Sequence, residues 1–231
     1  MKRHLNLQRK VQNHSRGFST LELLVVMVIS LIIAALSIPG FNQARRALRI
    51  SGDGRDLNGA INQAKLHAAA DFTRARVYFD LGGAGANTFH IDVWNKAGNG
   101  GAGCWQVVND PNPCLLPGTT PPSAHTLSPG VNFGFAGVGA PPPNTQAGVI
   151  QQAPPGCFHP FGNGLGIVPR TACIEFNSRG FPIFPPTGVP TGNDSVYITD
   201  NTVVYGVTVG GTGMSQVWAT SANGNANWYR K

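Results

Sequence analysis

The feature that most constrains this chain is an almost unbroken apolar run of 21 residues, from Phe18 to Ile38. Five polar residues interrupt it: Ser19, Thr20, Glu22, Ser30 and Ser37. At about 1.5 Å per residue, a helix of this length extends roughly 31 Å, which is enough to cross the hydrocarbon core of a bilayer once. The run therefore predicts an N-terminal helix that can enter a membrane.

The 17 residues before the run carry most of the chain's excess positive charge. They hold no acid and five basic residues: Lys2, Arg3, Arg9, Lys10 and Arg16. The whole chain has 17 Lys and Arg against 10 Asp and Glu, a net charge of +7. Without residues 1–17 the balance is 12 against 10, or +2. The basic character is therefore mostly a property of this leader segment.

Two ordinary explanations fit the length of the run. A secretory signal would add a cleavage site at Ala35-Leu36-Ser37, and a simple membrane anchor would retain the helix. The run is longer than the usual apolar core of a signal, and neither explanation gives Glu22 a purpose. A carboxylate within a membrane is costly and usually marks a functional site.

The segment GFSTLE, residues 17–22, followed by the apolar run, resembles the N-terminus of type IV pilins and pseudopilins, the type IV filament superfamily. The resemblance implies that residues 1–17 are a leader peptide, which prepilin peptidase removes by cutting between Gly17 and Phe18. It also implies N-methylation of Phe18. Glu22 is then the fifth residue of the mature chain, a position that serves assembly in this superfamily.

Physical chemistry gives Glu22 a use in such a filament. Cleavage before Phe18 would create an α-amine that stays cationic after methylation, one helical turn from Glu22 and near the positive end of the helix dipole. Among staggered parallel helices, Glu22 of one subunit can meet the amine of its neighbour. Both charges are costly in lipid, so their pairing favours assembly and fixes the axial register.

The helix is predicted to continue beyond the membrane. The resemblance implies that residues 18–39 form the transmembrane and assembly helix, and that Pro39, at mature position 22 where pilins commonly have a proline, also serves assembly. Residues 40–72 are amphipathic, with apolar residues at helical spacing that predict one stripe against a globular head: Ile50, Leu57, Ile61, Ala64 and Ala68. Two glycines in SGDG, residues 51–54, each cost about 1 kcal/mol of helix stability, so a kink or a melted turn is expected there.

Residues 73–231 are predicted to form a β-rich head. Segments rich in branched and aromatic residues predict strands at residues 74–80, 87–94, 104–110, 172–184, 195–200, 202–209 and 216–220. Residues 111–166 are crowded with Pro, Gly, Ser and Thr and are predicted to be a loop-rich insertion with short strands at most. The predicted fold is α+β and pilin-like: a long N-terminal helix packed on an antiparallel sheet.

One stretch of the head carries a second resemblance. IEFNSRGFP, residues 174–182, is similar to a strand and turn found in the H-type minor pseudopilins of type II secretion and in the related T-type minor pilins. As in those families, strands rich in Val, Tyr and Thr follow it. The similarity implies a minor rather than a major subunit.

The four cysteines, with 30 glycines, 18 prolines and only 12% charged residues, indicate a loop-rich domain in an oxidising compartment. Four cysteines allow three pairings, and the sequence does not choose among them. We favour Cys104 with Cys114 and Cys157 with Cys173, because these pairs tie the ends of the Pro/Gly-rich loops to neighbouring strands. Zinc ligation is the alternative, but the chain has no C-x-x-C pair.

Catalytic chemistry is not indicated, and we predict no enzyme activity, no cofactor and no metal. Residues 98–103 match G-x-G-x-x-G, but the next segment is predicted to be a strand and not the helix that a dinucleotide site needs. The histidines of the head and helix show neither metal-ligand spacing nor a nucleophile motif: His67, His90, His125 and His159.

The sequence thus predicts a structural minor pilin or pseudopilin of a type IV pilus or a type II secretion system. Its expected partners are prepilin peptidase, other pilin-like subunits and the bacterial inner membrane, with the head in the periplasm before assembly. One alternative is a DNA-binding minor pilin, because residues 41–76 carry seven basic groups against three acids and the chain ends in Trp228, Tyr229, Arg230 and Lys231. Arg230 and Lys231 would be the DNA contacts. The other alternative is an ordinary secreted or anchored domain.

Overall fold

A computed structural model describes residues 18–82, 86–110, 114, 121–145, 150, 155–161 and 164–231. The chain divides into two compact units, Met1–Arg45 and Arg46–Lys231. Helix α1, Thr20–Ala70, contributes to both. The two units are described separately below.

Within the first unit, helix α1 exposes its apolar side chains. Every described side chain from Thr20 to Ile38 is exposed. By length and composition, α1 is able to cross a membrane once. The predicted apolar N-terminal helix is therefore present, and its exposed hydrophobic surface needs lipid or other helices to cover it.

The predicted kink in α1 is wrong, because the helix passes through residues 51–54 without interruption. A Cβ atom added at Gly54 would lie 3.0 Å from Cδ1 of Tyr205, on a strand of the head. Gly54 thus allows the helix and the sheet to approach closely, and that packing compensates the low helix propensity of glycine. The Asp53 carboxylate, on the same turn, accepts hydrogen bonds from the backbone amide and the hydroxyl of Ser128.

Fourteen strands lie within the described residues, together with one short 3₁₀ turn at Asn99–Gly101. In chain order they are β1 (Ala75–Asp80), β2 (Thr88–Asn95), β3 (Cys104–Val107), β4 (His125–Thr126), β5 (Asn132–Phe133), β6 (Phe158–Phe161), β7 (Gly164–Ile167), β8 (Thr171–Phe176), β9 (Pro182–Phe184), β10 (Val189–Pro190), β11 (Asn193–Thr199), β12 (Val203–Gly210), β13 (Ser215–Ser221) and β14 (Tyr229–Arg230). The strands predicted from the sequence are all present, and the G-x-G-x-x-G segment leads into strand β3 as expected.

The strands form three antiparallel sheets rather than the single sheet that was expected. The first has the order β10-β9-β8-β1-β2-β3, with β4 also paired to β2. The second has the order β14-β13-β12-β11-β5, and β6 and β7 form a separate hairpin. Where the structure describes the loop-rich part of the chain, the strands are the short β4 to β7, in agreement with its composition. The fold is therefore α+β with open antiparallel sheets.

The second half of α1 packs against both large sheets in one hydrophobic core. All five residues of the predicted stripe are buried: Ile50, Leu57, Ile61, Ala64 and Ala68. They form one cluster with residues of β1 and β8 from the first sheet, such as Phe79 and Ile174, and with residues of β11 and β12 from the second, such as Ile198 and Val207. The amphipathic period of the helix thus determines which face the head covers.

The turn between β8 and β9 follows the sequence motif that suggested a minor subunit. The side-chain oxygen of Asn177 accepts hydrogen bonds from the amides of Arg179, at 2.9 Å, and Phe181, at 3.1 Å. Gly180 has φ +76°, a left-handed conformation that glycine adopts readily. The motif therefore encodes a tight hairpin, as predicted.

Candidate functional site

The start of helix α1 carries the residues predicted for processing and assembly. Gly17 lies outside the described residues. Phe18 lies two residues before the first residue of the helix and is 80% exposed. Glu22 lies in the first turn, and Pro39 lies within the helix, which continues to Ala70.

Ser19 caps the helix through its own oxygen atoms. Its Oγ accepts a hydrogen bond from the Leu21 amide at 3.3 Å, and its carbonyl oxygen accepts one from the Glu22 amide at 3.0 Å. Ser19 and Glu22 have the spacing of a capping box, in which the Glu side chain would bind the Ser amide. Among the described residues, nothing makes a hydrogen bond or ion pair with the Glu22 carboxylate. Helix capping therefore does not use this charge.

The two serines farther along the apolar run behave differently from Glu22. Ser30 Oγ donates to the Val26 carbonyl oxygen at 2.8 Å, and Ser37 Oγ donates to the Ile33 carbonyl oxygen at 2.7 Å. Such bonds to the preceding turn satisfy a hydroxyl within the helix itself. An ionised carboxylate has no proton to donate to such a carbonyl, so this kind of bond within the helix is not open to Glu22.

The head contains a buried ion pair on the face of the first sheet that points away from the core. Arg76 and Asp92 lie opposite each other on β1 and β2, and Arg76 Nε donates to Asp92 Oδ2 at 2.8 Å. Arg76 Nη1 also donates to the Phe158 carbonyl oxygen at 2.9 Å, which fixes strand β6 over the pair. His90 Nε2 lies 3.2 Å from Asp92 Oδ1. Burial acts to raise the pKa of Asp92, but the Arg76 guanidinium and His90 hold that pKa below its ordinary value.

Neighbouring residues extend this pair into an aromatic and charged layer. Glu175 is almost fully buried, and Arg74 Nη1 reaches its Oε1 at 3.1 Å. Burial raises the pKa of Glu175, and Arg74 offsets this only in part. The Arg76 guanidinium lies 4.1 Å from the centre of the Trp105 ring. Arg76, Asp92 and Glu175 are buried and Arg74 is 40% exposed, so the two arginines and two carboxylates pair across β1, β2 and β8 and hold these strands together.

Both favoured disulfides are present. Cys104 bonds to Cys114 with a Cα–Cα distance of 5.6 Å, and Cys157 bonds to Cys173 with a Cα–Cα distance of 4.9 Å. The second is buried against Tyr78, beside the Arg76 layer. Each bond thus ties a loop to a strand, which was the reason for favouring these pairings.

The basic residues of 41–76 are less available than their number suggests. Arg76 is buried and Arg74 is paired with Glu175, while Lys65 Nζ donates to the Gly213 carbonyl oxygen at 3.1 Å. Four arginines remain exposed: Arg45, Arg46, Arg49 and Arg55. Fewer basic side chains of residues 41–76 are therefore accessible than the seven that the sequence contains.

The C-terminal residues are paired into the second sheet. Strand β14, which contains Arg230, pairs with β13, and the Lys231 amide donates to the Val217 carbonyl oxygen at 3.0 Å. The Arg230 guanidinium lies 5.1 Å from the centre of the Trp218 ring. Trp228 donates its indole N–H to the Ala140 carbonyl oxygen at 2.8 Å. The C-terminal backbone is thus paired into the second sheet, while the side chains of Tyr229, Arg230 and Lys231 stay exposed.

No family model, no curated protein and no solved structure matches this chain. The architecture, a long helix with an apolar first half and antiparallel sheets with disulfides, is compatible with the pilin-like fold that the N-terminal motif implies.

Proposed function

We propose that this chain is a minor subunit of a type IV filament, either a minor pilin of a type IV pilus or a minor pseudopilin of a type II secretion system. Prepilin peptidase cuts it between Gly17 and Phe18, and the new amine of Phe18 is methylated. The mature chain then assembles with other pilin-like subunits through residues 18–39.

The observation that carries the proposal is the Glu22 carboxylate in the first turn of an exposed apolar helix. It has no hydrogen bond or ion pair among the described residues, although burying an unpaired charge in lipid is costly. A methylated amine of a neighbouring subunit would neutralise it at the depth where both charges need a partner. The pairing would also fix how far one helix is shifted along the next.

The charge distribution gives the chain an orientation in this proposal. The five basic residues of the leader stay on the cytoplasmic side, since positive residues resist translocation. The head then lies in the periplasm of the inner membrane, where an oxidising environment supports its two disulfides. The H- and T-type motif at residues 174–182 supports a minor role.

Two variants test the role of Glu22 in assembly. Glu22→Ala and Glu22→Gln remove the charge, and Ser30→Ala is the matched control because its hydroxyl binds its own helix. We expect all three proteins to be cleaved and to reside in the membrane fraction, since peptidase recognition resides mainly at Gly17. Recovery in sheared filaments should fall sharply for both Glu22 variants and stay normal for Ser30→Ala. Normal incorporation of the Glu22 variants would refute the pairing.

A substitution at Gly17 tests the proposed processing independently of assembly. A bulky replacement, Gly17→Leu, is expected to block cleavage and leave the leader attached on the cytoplasmic side. The protein should then appear in the membrane at the size of the uncut chain. Normal cleavage of this variant would contradict the proposed peptidase site.

A further inference from the structure

Three potential metal ligands converge where helix α1 meets strand β4 in the head. Asp53 and Asp56 lie three residues apart, which places them on one face of the helix. His125, on β4, faces them from the first sheet. One ligand atom from each of the three residues lies within 4.8 Å of the other two.

The distance between two of these atoms suits a shared ion better than a hydrogen bond. His125 Nε2 is 3.6 Å from Asp56 Oδ2, which is too long for a hydrogen bond between them. Zinc binds imidazole nitrogen and carboxylate oxygen at about 2.0–2.2 Å in a tetrahedral arrangement, which places neighbouring ligand atoms roughly 3.4 Å apart. The two groups thus already stand close to the separation that one bound ion requires.

The surrounding structure orients the ligands. Asp53 is 4% exposed, and its two oxygens accept hydrogen bonds from the amide and the hydroxyl of Ser128, both at 3.0 Å. The His125 ring packs on Phe89, with ring centres 4.8 Å apart. Outer contacts of this kind hold the ligands of metal sites in position.

The charge balance favours a cation at this place. Asp53 and Asp56 bring two carboxylates together, and within the described part of the chain no Lys or Arg forms an ion pair with either. Two carboxylates and one imidazole are a ligand set for zinc or a similar divalent transition metal, whereas magnesium and calcium prefer oxygen ligands alone.

We propose that Asp53, Asp56 and His125 bind one divalent transition-metal ion of the zinc class, with water completing the coordination. The ion joins helix α1 to the loop that contains β4, two elements far apart in sequence. Binding to the folded chain alone stabilises it by mass action. The site is independent of the proposed role in filaments.

The test uses the full-length chain in detergent micelles, purified without a histidine tag and stripped of metal with a chelator. Zinc is titrated by calorimetry, and the thermal midpoint is measured with and without zinc. Asp56→Asn and His125→Gln each remove one ligand from a side chain that is about half exposed, so both variants should fold. Their thermal midpoints without zinc check this.

His67→Gln is the matched control. His67 and Asp71 form a similar exposed pair on the same helix, with Nδ1 and Oδ2 3.4 Å apart, and no described residue adds a third ligand to them. The unaltered chain and His67→Gln should each bind one equivalent of zinc. Their thermal midpoints should rise by roughly 5–10 °C at a hundredfold excess over the dissociation constant.

Asp56→Asn and His125→Gln should bind zinc at least about tenfold more weakly. Magnesium should leave the midpoint of the unaltered chain unchanged. The proposal is overturned if the unaltered chain does not bind one equivalent of zinc, if either ligand variant binds it equally well, or if His67→Gln abolishes binding.

Discussion

Arg76 Nε donates a hydrogen bond to Asp92 Oδ2 at 2.8 Å, and the two side chains are only 2% and 3% exposed. Replacing one member of a buried ion pair leaves the other charge without compensation, which typically costs about 3–5 kcal/mol. We therefore expect Asp92→Asn to lower the free energy of unfolding by about 3 kcal/mol at pH 7. Chemical denaturation of the mature chain in detergent measures this value. Asp71→Asn, at a half-exposed position, should change it by less than about 0.5 kcal/mol.

The same pair has a defined pH dependence. The folded pKa of Asp92 is below its ordinary value of 3.8, so its stabilising contribution is complete above that pH and is lost as the pH falls through the folded pKa. The difference in the free energy of unfolding between the unaltered chain and Asp92→Asn should be present at about pH 5 and above and should shrink below about pH 4. Because the pKa of Glu175 is raised, its contribution to the free energy of unfolding changes with pH in the opposite direction. Both proteins contain Glu175, so this contribution largely cancels when their free energies of unfolding are subtracted. A difference that grows in acid would contradict this assignment.

Gly54 and Gly52 offer a matched pair on one turn of helix α1. Alanine at Gly54 would place its Cβ 3.0 Å from Tyr205, whereas alanine at Gly52 would meet no atom within 4 Å. Gly52→Ala should therefore stabilise the chain by about 0.5–1 kcal/mol through helix propensity. Gly54→Ala should destabilise it by about 1 kcal/mol, because crowding of the ring outweighs that gain. Equal stabilisation by both changes would show that the close approach to Tyr205 is unimportant.

These residues also show where sequence reasoning succeeds and where it fails. Every strand that residue alternation and composition predicted is present in the structure. The buried stripe of α1 likewise follows from the 3.6-residue period of the helix. The kink at residues 51–54 was predicted wrongly because helix propensity is local, while the reason for Gly54 is Tyr205, about 150 residues later. The division into separate sheets depends on non-local pairing that no local pattern encodes.

The candidate sites were predictable to different degrees. The spacing of GFSTLE drew attention to Glu22 directly, and loop composition favoured the correct cysteine pairs. Arg76 and Asp92 alternate with core residues of their strands, so the sequence could have placed them on the outer face, but their pairing depends on strand register. The approach of His125 to Asp53 and Asp56 could not be predicted, since it depends on the path of a long loop.

The two disulfides should contribute unequally to stability. The two disulfides close loops of similar length, so each should contribute a similar entropic stabilisation of about 3 kcal/mol to the free energy of unfolding. However, Cys157 and Cys173 are buried beside Tyr78 and hold the segment whose Phe158 carbonyl binds Arg76.

Cys157→Ala with Cys173→Ala is therefore expected to lower the free energy of unfolding by about 3 kcal/mol or more. Cys104→Ala with Cys114→Ala should lower it by less. Chemical denaturation of both double variants compares them, and an equal or reversed order would contradict the role given to the buried bond.

The conformation of the C-terminus bears on the DNA-binding alternative. Arg230 lies on edge strand β14, and Lys231 follows it; both side chains are exposed. The Arg230 guanidinium lies against the Trp218 ring and the Trp228 indole donates to the Ala140 carbonyl oxygen, so the terminus offers few groups for phosphates and bases. We expect the mature chain in detergent to bind duplex DNA undetectably at moderate salt. We expect Arg230→Ala with Lys231→Ala to change nothing. Tight binding with a steep salt dependence that the double variant flattens would instead establish a nucleic-acid site.

Tandem mass spectrometry of the N-terminal peptide, from protein extracted from the membrane of its native cell, tests the central proposal most directly. The proposed function predicts that the mature chain begins at Phe18 and carries a methyl group on its α-amine, with Glu22 as its fifth residue. A chain that retains Met1, or one that begins at Ile38 after cleavage at Ala35-Leu36-Ser37, would contradict it.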